Sequence, residues 1–259
     1  VCRLAGAVLF RHQAREREQT VLATIETALL PPAPPPVSGF EIGVSFTSAT
    51  EMARVGGDFY DVLDLGEAGV LILVGDVSGK GVDAVGTAVR ARYAIEAQAQ
   101  ITPDPASFLR TANDSLTRAL PAERFVAAAA CLIDRGSGSV TTCLAGHPAP
   151  LLITPFGPAE IDAPHNPPLG VMRGMRLVQV TDRLSPDDTL LVYTDGVTDA
   201  RRGGTLFGDE GLREVARPLT GRDAAAVARI VCEAATEFHD SHLPGDDRLV
   251  VAVRLCEHD

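Results

Sequence analysis

Four aspartates, each beside glycine or a second aspartate and each near an apolar run, set the chemistry open to this chain. Asp58 lies in Val55-Gly56-Gly57-Asp58-Phe59-Tyr60-Asp61 and Asp76 in Leu73-Val74-Gly75-Asp76-Val77-Ser78-Gly79-Lys80-Gly81. Asp195 lies in Val192-Tyr193-Thr194-Asp195-Gly196-Val197, and Asp246 in Gly245-Asp246-Asp247. Strand ends hold side chains at fixed separations, and carboxylates gathered at such a place repel one another unless cations sit between them. The pattern therefore points to a site for hard divalent metals with all-oxygen ligation, which suits manganese or magnesium better than zinc.

Three neighbouring chemistries fail on spacing. A phosphate-cradling Walker loop needs four residues between its first glycine and the Gly-Lys pair, followed by Ser or Thr. In the Gly75–Gly81 segment only three intervene, and Gly81 follows Lys80. An aspartyl-phosphate nucleophile loop carries two aspartates separated by one residue, and neither Tyr193 nor Val197 supplies the partner of Asp195. None of the five cysteines, Cys2, Cys131, Cys143, Cys232 and Cys256, is followed by arginine at the spacing of a cysteine-phosphatase loop. Covalent phosphoenzyme chemistry is disfavoured on these grounds.

The histidines offer less. His239 and His242 have a spacing that can place two imidazoles on one metal, yet they sit by an expected helix end without a third ligand nearby, which reads as surface or capping. His147, in Ala145-Gly146-His147-Pro148, reads as structural. The cysteines show no Cys-x-x-Cys pair and are odd in number, so they read as reduced, mostly buried thiols. A net charge of −11 argues against a nucleic-acid partner, since phosphate backbones are bound by clustered Lys and Arg. Lys80 is the only lysine among 23 cationic residues, a bias that resembles GC-rich codon usage more than function.

The elements that must position the aspartates follow from periodicity. Apolar runs at 41–46, 70–74, 125–133, 140–144, 150–153, 190–193 and 249–253 predict strands. Hairpin-like turns such as Asp134-Arg135-Gly136-Ser137-Gly138 favour antiparallel pairing. Helical spacing predicts helices over 82–98, 105–120 and 224–238, the last with Val227, Ile230, Val231, Ala234 and Phe238 on one face. Upstream, Leu22, Ile25 and Leu29 predict an amphipathic helix over 13–30, stopped by the proline-rich run 31–36. That helix is a candidate homodimerising or signalling segment, or a linker packed on its own domain. The expected organisation is a leader over 1–38 and one catalytic domain over 39–259. The chain starts at Val1 rather than Met, as expected of a piece of a longer protein, and an upstream sensor or membrane segment is expected.

Taken together and in order, Gly-Gly-Asp, strand-Asp-x-Ser-Gly, strand-Thr-Asp-Gly and Gly-Asp-Asp-strand resemble the SpoIIE/RsbU branch of the PPM family, the metal-dependent serine/threonine protein phosphatases. The resemblance runs over 29–255. It includes Leu29-Leu30-Pro31, Ala145-Gly146-His147-Pro148-Ala149-Pro150, Pro168-Leu169-Gly170-Val171 and Leu206-Phe207-Gly208. It implies an α/β (α+β) four-layer αββα sandwich, two antiparallel sheets flanked by helices. It also implies two Mn²⁺ or Mg²⁺ ions. Asp76 would bridge both, with Asp195 and Asp246 on the first and Asp58 and the Val77 carbonyl on the second. Asp247 is the alternative to Asp246. Arg248-Leu249 departs from the family's apolar residue and Thr. Some relatives outside the branch hold phosphate with an N-terminal Arg, a role not assigned here to Arg54.

The implied reaction is hydrolysis of phosphoserine or phosphothreonine by a two-metal-activated water, without a phosphoenzyme. The implied substrate is a phosphorylated STAS-domain anti-sigma-factor antagonist. The helix from Val82 is a candidate switch, able to move a metal ligand on an upstream signal. The implied location is the cytoplasm, with a tether to the inner face of the membrane in a longer protein. Two other readings stay open: a pseudophosphatase that only binds, and a metal-dependent hydrolase of a small phosphate ester.

Overall fold

The computed structural model describes residues 33–48, 57–79, 82–240, 242–243 and 245–256. The expected helix over 13–30, Arg54 and the Lys80-Gly81 pair lie outside the described residues. The chain runs through β1 (Phe40–Thr47), β2 (Phe59–Asp64), β3 (Val70–Val77), α1 (Val82–Ile101), α2 (Pro105–Ala119), β4 (Val126–Ile133) and β5 (Ser139–Ala145). It continues through β6 (Leu151–Thr154), β7 (Gly157–Glu160), β8 (His165–Asn166), β9 (Val180–Arg183) and β10 (Thr189–Tyr193). The last elements are α3 (Asp195–Thr198), β11 (Arg201–Arg202), β12 (Thr205–Leu206), α4 (Gly208–Ala216), α5 (Ala224–Phe238) and β13 (Arg248–Leu255).

One sheet has the order β1-β13-β10-β6-β7 and the other β2-β3-β4-β5-β8, with β9 also on β5. Pairing is antiparallel, as the turn signals predict, except for the short parallel β5–β8 contact. Strand alternation explains the layers. Val70, Ile72 and Val74 of β3 join Tyr60, Val62, Leu190, Val192, Leu249, Val251 and Val253 in the core between the sheets. The intervening Leu71 and Leu73 face Ala88, Ala91, Ile95, Phe108 and Leu109 of α1 and α2. β3 is an unbroken apolar run because both its faces are covered. On the other outer face Leu191, Tyr193, Val250 and Ala252 pack against Leu212 of α4 and Val227, Val231 and Cys232 of α5. The result is the expected helix–sheet–sheet–helix sandwich.

Two helix starts obey capping chemistry. Asp104 precedes α2 and accepts the Ser107 N–H at 3.0 Å, with Pro105 in the first turn. Asp223 does the same for α5, accepting the Ala226 N–H at 2.7 Å. Of the four described cysteines three are buried, and burial pushes Cys131 and Cys143 up to about 12, so neither is a reactive thiol. Among the described residues no helix is long and apolar enough to cross a membrane.

Candidate metal centre

The same two-residue period that fills the core brings the aspartates together. Tyr60 and Val62, then Val70, Ile72 and Val74, and Leu190 and Val192 point between the sheets. Extending each strand's alternation to its end puts Asp58, Asp76 and Thr194 on that inward face, where the sandwich opens. The β2–β3 ladder ends at Phe59 opposite Gly75, and one further step sets Asp58 opposite Asp76. Like charges directly opposite each other are destabilising in a sheet, and burial adds to the cost.

That cost is visible in the protonation of the pair. Burial first, and then the Asp76 charge, hold the Asp58 carboxyl well above the usual range, while the Thr194 hydroxyl works the other way. Burial, then the Asp195 charge, raise Asp76 to about 7. Asp195 is raised by burial, then by Asp199 and Asp246. Asp246 thus bears electrostatically on both Asp76 and Asp195, whereas Asp247 bears on Asp58. A cation placed among these carboxyls would relieve their mutual repulsion.

Thr194 and Arg248 hold the two sheets' contributions in register. The Thr194 hydroxyl donates to Asp58 Oδ2 at 2.7 Å and accepts the Leu249 N–H at 3.0 Å, so one side chain ties β10, β13 and the start of β2. The Thr194 N–H donates to the Leu249 carbonyl at 3.0 Å. Arg248, where the family pattern has an apolar residue, opens β13 with a buried side chain whose Nε donates to the Gly196 carbonyl at 3.1 Å. Glycine is required at 196 because a Cβ there would overlap the Asp247 carbonyl. The Ser48 hydroxyl donates to Asp247 Oδ1 at 3.2 Å.

The fit of the donor set to a hard cation is tested best at Gly57. A Cβ there would lie 2.7 Å from Asp76 Oδ1 and 2.7 Å from the Val77 carbonyl oxygen, so a carboxylate and a main-chain carbonyl converge on space only glycine leaves open. These are oxygen donors, the kind Mg²⁺ and Mn²⁺ take. Among the described residues no group of three or more His, Cys, Asp or Glu side chains is drawn together tightly enough to hold an ion as it stands. The donors that converge are the Asp58–Asp76 pair and the Val77 carbonyl, while the charges of Asp195 and Asp246 bear on Asp76 from the facing sheet's side.

Other sequence candidates fall elsewhere. His147 is buried between the sheets' connections, its Nδ1 3.1 Å from the Pro148 carbonyl, and burial lowers it to about 4. His239 caps α5, its Nδ1 accepting the Arg201 N–H at 3.1 Å and its Nε2 3.3 Å from the Leu243 carbonyl, which bears out the capping reading. A cleft of about 770 Å³ between α2 and residues 174–177 holds none of the four aspartates. A smaller apolar one of about 350 Å³ opens beside Asp58, lined by Val44, Phe46 and Leu249.

Known proteins share the fold. Protein IcfG of Synechocystis is 26% identical over 88% of this chain, which spans only 40% of IcfG. Phosphoserine phosphatase RsbU of Bacillus subtilis is 21% identical, covering 93% of this chain and 71% of RsbU. The crystal structure of the RsbU and RsbW domains of Rv1364c from Mycobacterium tuberculosis superposes with a TM-score of 0.72 at 25% identity, over 85% of this chain and 61% of that one. The family model of stage II sporulation protein E matches residues 66–255, most of the chain and all but one of the carboxylates at issue. The chain belongs to the SpoIIE family, the SpoIIE/RsbU branch of the PPM phosphatases.

Proposed function

We propose that this domain is a metal-dependent serine/threonine phosphoprotein phosphatase acting by a two-metal mechanism, with a STAS-type anti-sigma-factor antagonist as substrate. The observation that carries it is the half-buried Asp58–Asp76 pair, opposite each other at the open end of the sandwich, with Asp76 Oδ1 and the Val77 carbonyl converging on the space beside Gly57. Two solved domains of the same fold support the cofactor: RsbX was determined with magnesium and the catalytic domain of PstP with two manganese ions, at 16% and 13% identity. The names of RsbU and of the RsbU–RsbW pair support the class of partner.

Asp76 would bridge the two ions, Asp195 and Asp246 complete the first, and Asp58 with the Val77 carbonyl complete the second. When bound, the ions supply a nucleophilic water at neutral pH and charge stabilisation for in-line displacement at phosphorus. The chain's own residues do the positioning. Thr194 fixes the Asp58 carboxyl, Gly57 keeps the Val77 carbonyl accessible, and Arg248 ties the Asp195 turn to the Asp246 segment. The sequence spacing around Asp195 and the cysteines does not match a covalent phosphoenzyme loop, so direct transfer of the phosphoryl group to water is the reading kept. The reaction belongs in the cytoplasm, where such a phosphoprotein resides. Retention of all four carboxylates favours catalysis over a pseudophosphatase.

The test is phosphate release from a serine-phosphorylated STAS protein with and without Mn²⁺, comparing the natural sequence with Asp76→Asn. Release that requires Mn²⁺ and drops by at least about 10³-fold in the variant is expected. Folded protein that binds the phosphoprotein without releasing phosphate would sink the enzymatic reading.

A further inference from the structure

The turn that follows Asp76 is held by a contact between segments far apart in sequence. β3 and β4 pair as far as Val77 opposite Val126, and the ladder takes one more step through the Ser78 N–H, which donates to the Phe125 carbonyl at 3.0 Å. The reciprocal ladder bond is missing. Instead the Phe125 N–H donates to the Ser78 hydroxyl at 2.9 Å, and the Ser78 carbonyl turns away to accept a hydrogen bond from Arg124 Nη1. The guanidinium lies against the α-carbon of Gly79, where a Cβ would collide with it, and Gly79 has φ +97°, a conformation side chains rarely adopt. Ser78 and Gly79 of the Asp-x-Ser-Gly motif are thus both explained by what the Arg124–Phe125 segment does to them.

The consequence falls on the carbonyl of Val77. A trans peptide is planar, so its N–H and C=O point in opposite directions. Fixing the Ser78 N–H on Phe125 aims the Val77 carbonyl the other way, toward the space Gly57 leaves open beside Asp76 Oδ1. The bond from Arg124 to Ser78 fixes the next peptide plane as well. Two consecutive planes after the bridging aspartate are therefore locked from outside the strand.

We infer that Arg124 is a positioning residue for the metal centre: by clamping Ser78 across the Gly79 surface it holds the Val77 carbonyl as a ready-made ligand for the second ion. The inference rests on the reading of Val77 and the aspartates as ligands. Arg124 would act through Ser78 and the Val77 carbonyl, and supporting groups of this kind change metal affinity by about 10- to 100-fold.

The experiment is calorimetric Mn²⁺ titration of the whole chain for the natural sequence, Asp76→Asn, Arg124→Ala, Arg124→Lys and Ser78→Ala, with phosphatase kinetics at saturating Mn²⁺ alongside. Expected are loss of binding in Asp76→Asn, about tenfold weaker binding of one ion in Arg124→Ala, partial recovery in Arg124→Lys, and KM for the phosphoprotein unchanged. Ser78→Ala should weaken the same ion, and it tests the clamp should Arg124→Ala fold poorly. Gly79→Ala should cost less in the Arg124→Ala background than alone, because the collision is gone. If Asp76→Asn loses Mn²⁺ while Arg124→Ala and Ser78→Ala bind it as the natural chain does, the clamp is wrong and the metal centre stands. If Arg124→Ala keeps its Mn²⁺ affinity but raises KM, Arg124 binds substrate and the clamp is again overturned. If Asp76→Asn binds Mn²⁺ normally, the metal centre falls and the clamp with it.

Discussion

Thr194 shows how much of the site depends on residues that carry no charge. Its hydroxyl is used in both directions, donating to Asp58 and accepting from Leu249. Thr194→Val keeps the shape, strands a buried N–H and removes the hydroxyl donor from the half-buried Asp58 carboxyl. It should cost about 2 kcal/mol of stability by chemical denaturation and about tenfold in Mn²⁺ affinity, whereas Thr194→Ser should retain most of both. The four aspartates were legible in the sequence because each sits in a short motif with glycine. Asp58 and Thr194 are 136 positions apart, and their bond arises from the register of two different sheets, which no local pattern encodes. Arg248 was legible only as a departure, and its bond to the Gly196 carbonyl explains why a cation is tolerated there.

At the scale of elements, the helices with one apolar face were the most readable. α5 begins and ends where its periodicity predicts, at Ala224 and Phe238, and α1 and α2 differ by a few residues at their C-terminal ends. β2 was hidden, because Phe-Tyr-Asp-Val-Leu-Asp alternates too weakly and follows a glycine pair that reads as loop. α4 was hidden because only Leu212 and Ala216 of its nine residues are buried. The strands β7, β8, β9, β11 and β12 span four residues or fewer and are mostly polar, so tertiary pairing alone defines them. The connection 167–179 is pinned by two asparagines. Buried Asn113 of α2 donates to the Met172 carbonyl at 2.9 Å and accepts the Gly170 N–H at 2.9 Å, and Asn166 accepts the Val178 N–H at 2.9 Å. Asn113→Ala removes a donor and an acceptor together and leaves two backbone groups unpaired. A loss of about 2 to 3 kcal/mol in urea unfolding is expected, with faster hydrogen exchange confined to 169–174. Exchange rising evenly over the whole domain would contradict the pinning.

For the whole molecule, acid stability hinges on the crossing from one sheet to the other. His147 occupies that crossing after β5, its Nε2 buried without a hydrogen-bond partner, and burial lowers it from 6.5 to about 4. Because the folded value is depressed, the unfolded chain takes up a proton between about pH 6.5 and 4 that the folded chain refuses. The associated stability is present above about pH 6.5 and is lost as pH falls toward 4. Between pH 7.5 and 5 it amounts to about 2 kcal/mol. His147→Gln should lack this component, so the stability gap between the two chains should shift by that amount over that range. Parallel pH curves would show that His147 titrates normally.

β1 and β13 pair along their whole length, with Phe40 opposite Leu255 at one end and Thr47 opposite Arg248, beside the aspartates, at the other. An eight-residue strand is about 25 Å long. Chain entering at Phe40 and chain leaving at Leu255 therefore meet at one corner, a strand's length from the carboxylates. Tension applied between those two connections would act as on a zipper, parting the strands one pair at a time from that corner. The pairs next to the aspartates would be the last to open, so the centre is insulated from a pull that the far edge of the sheet already feels.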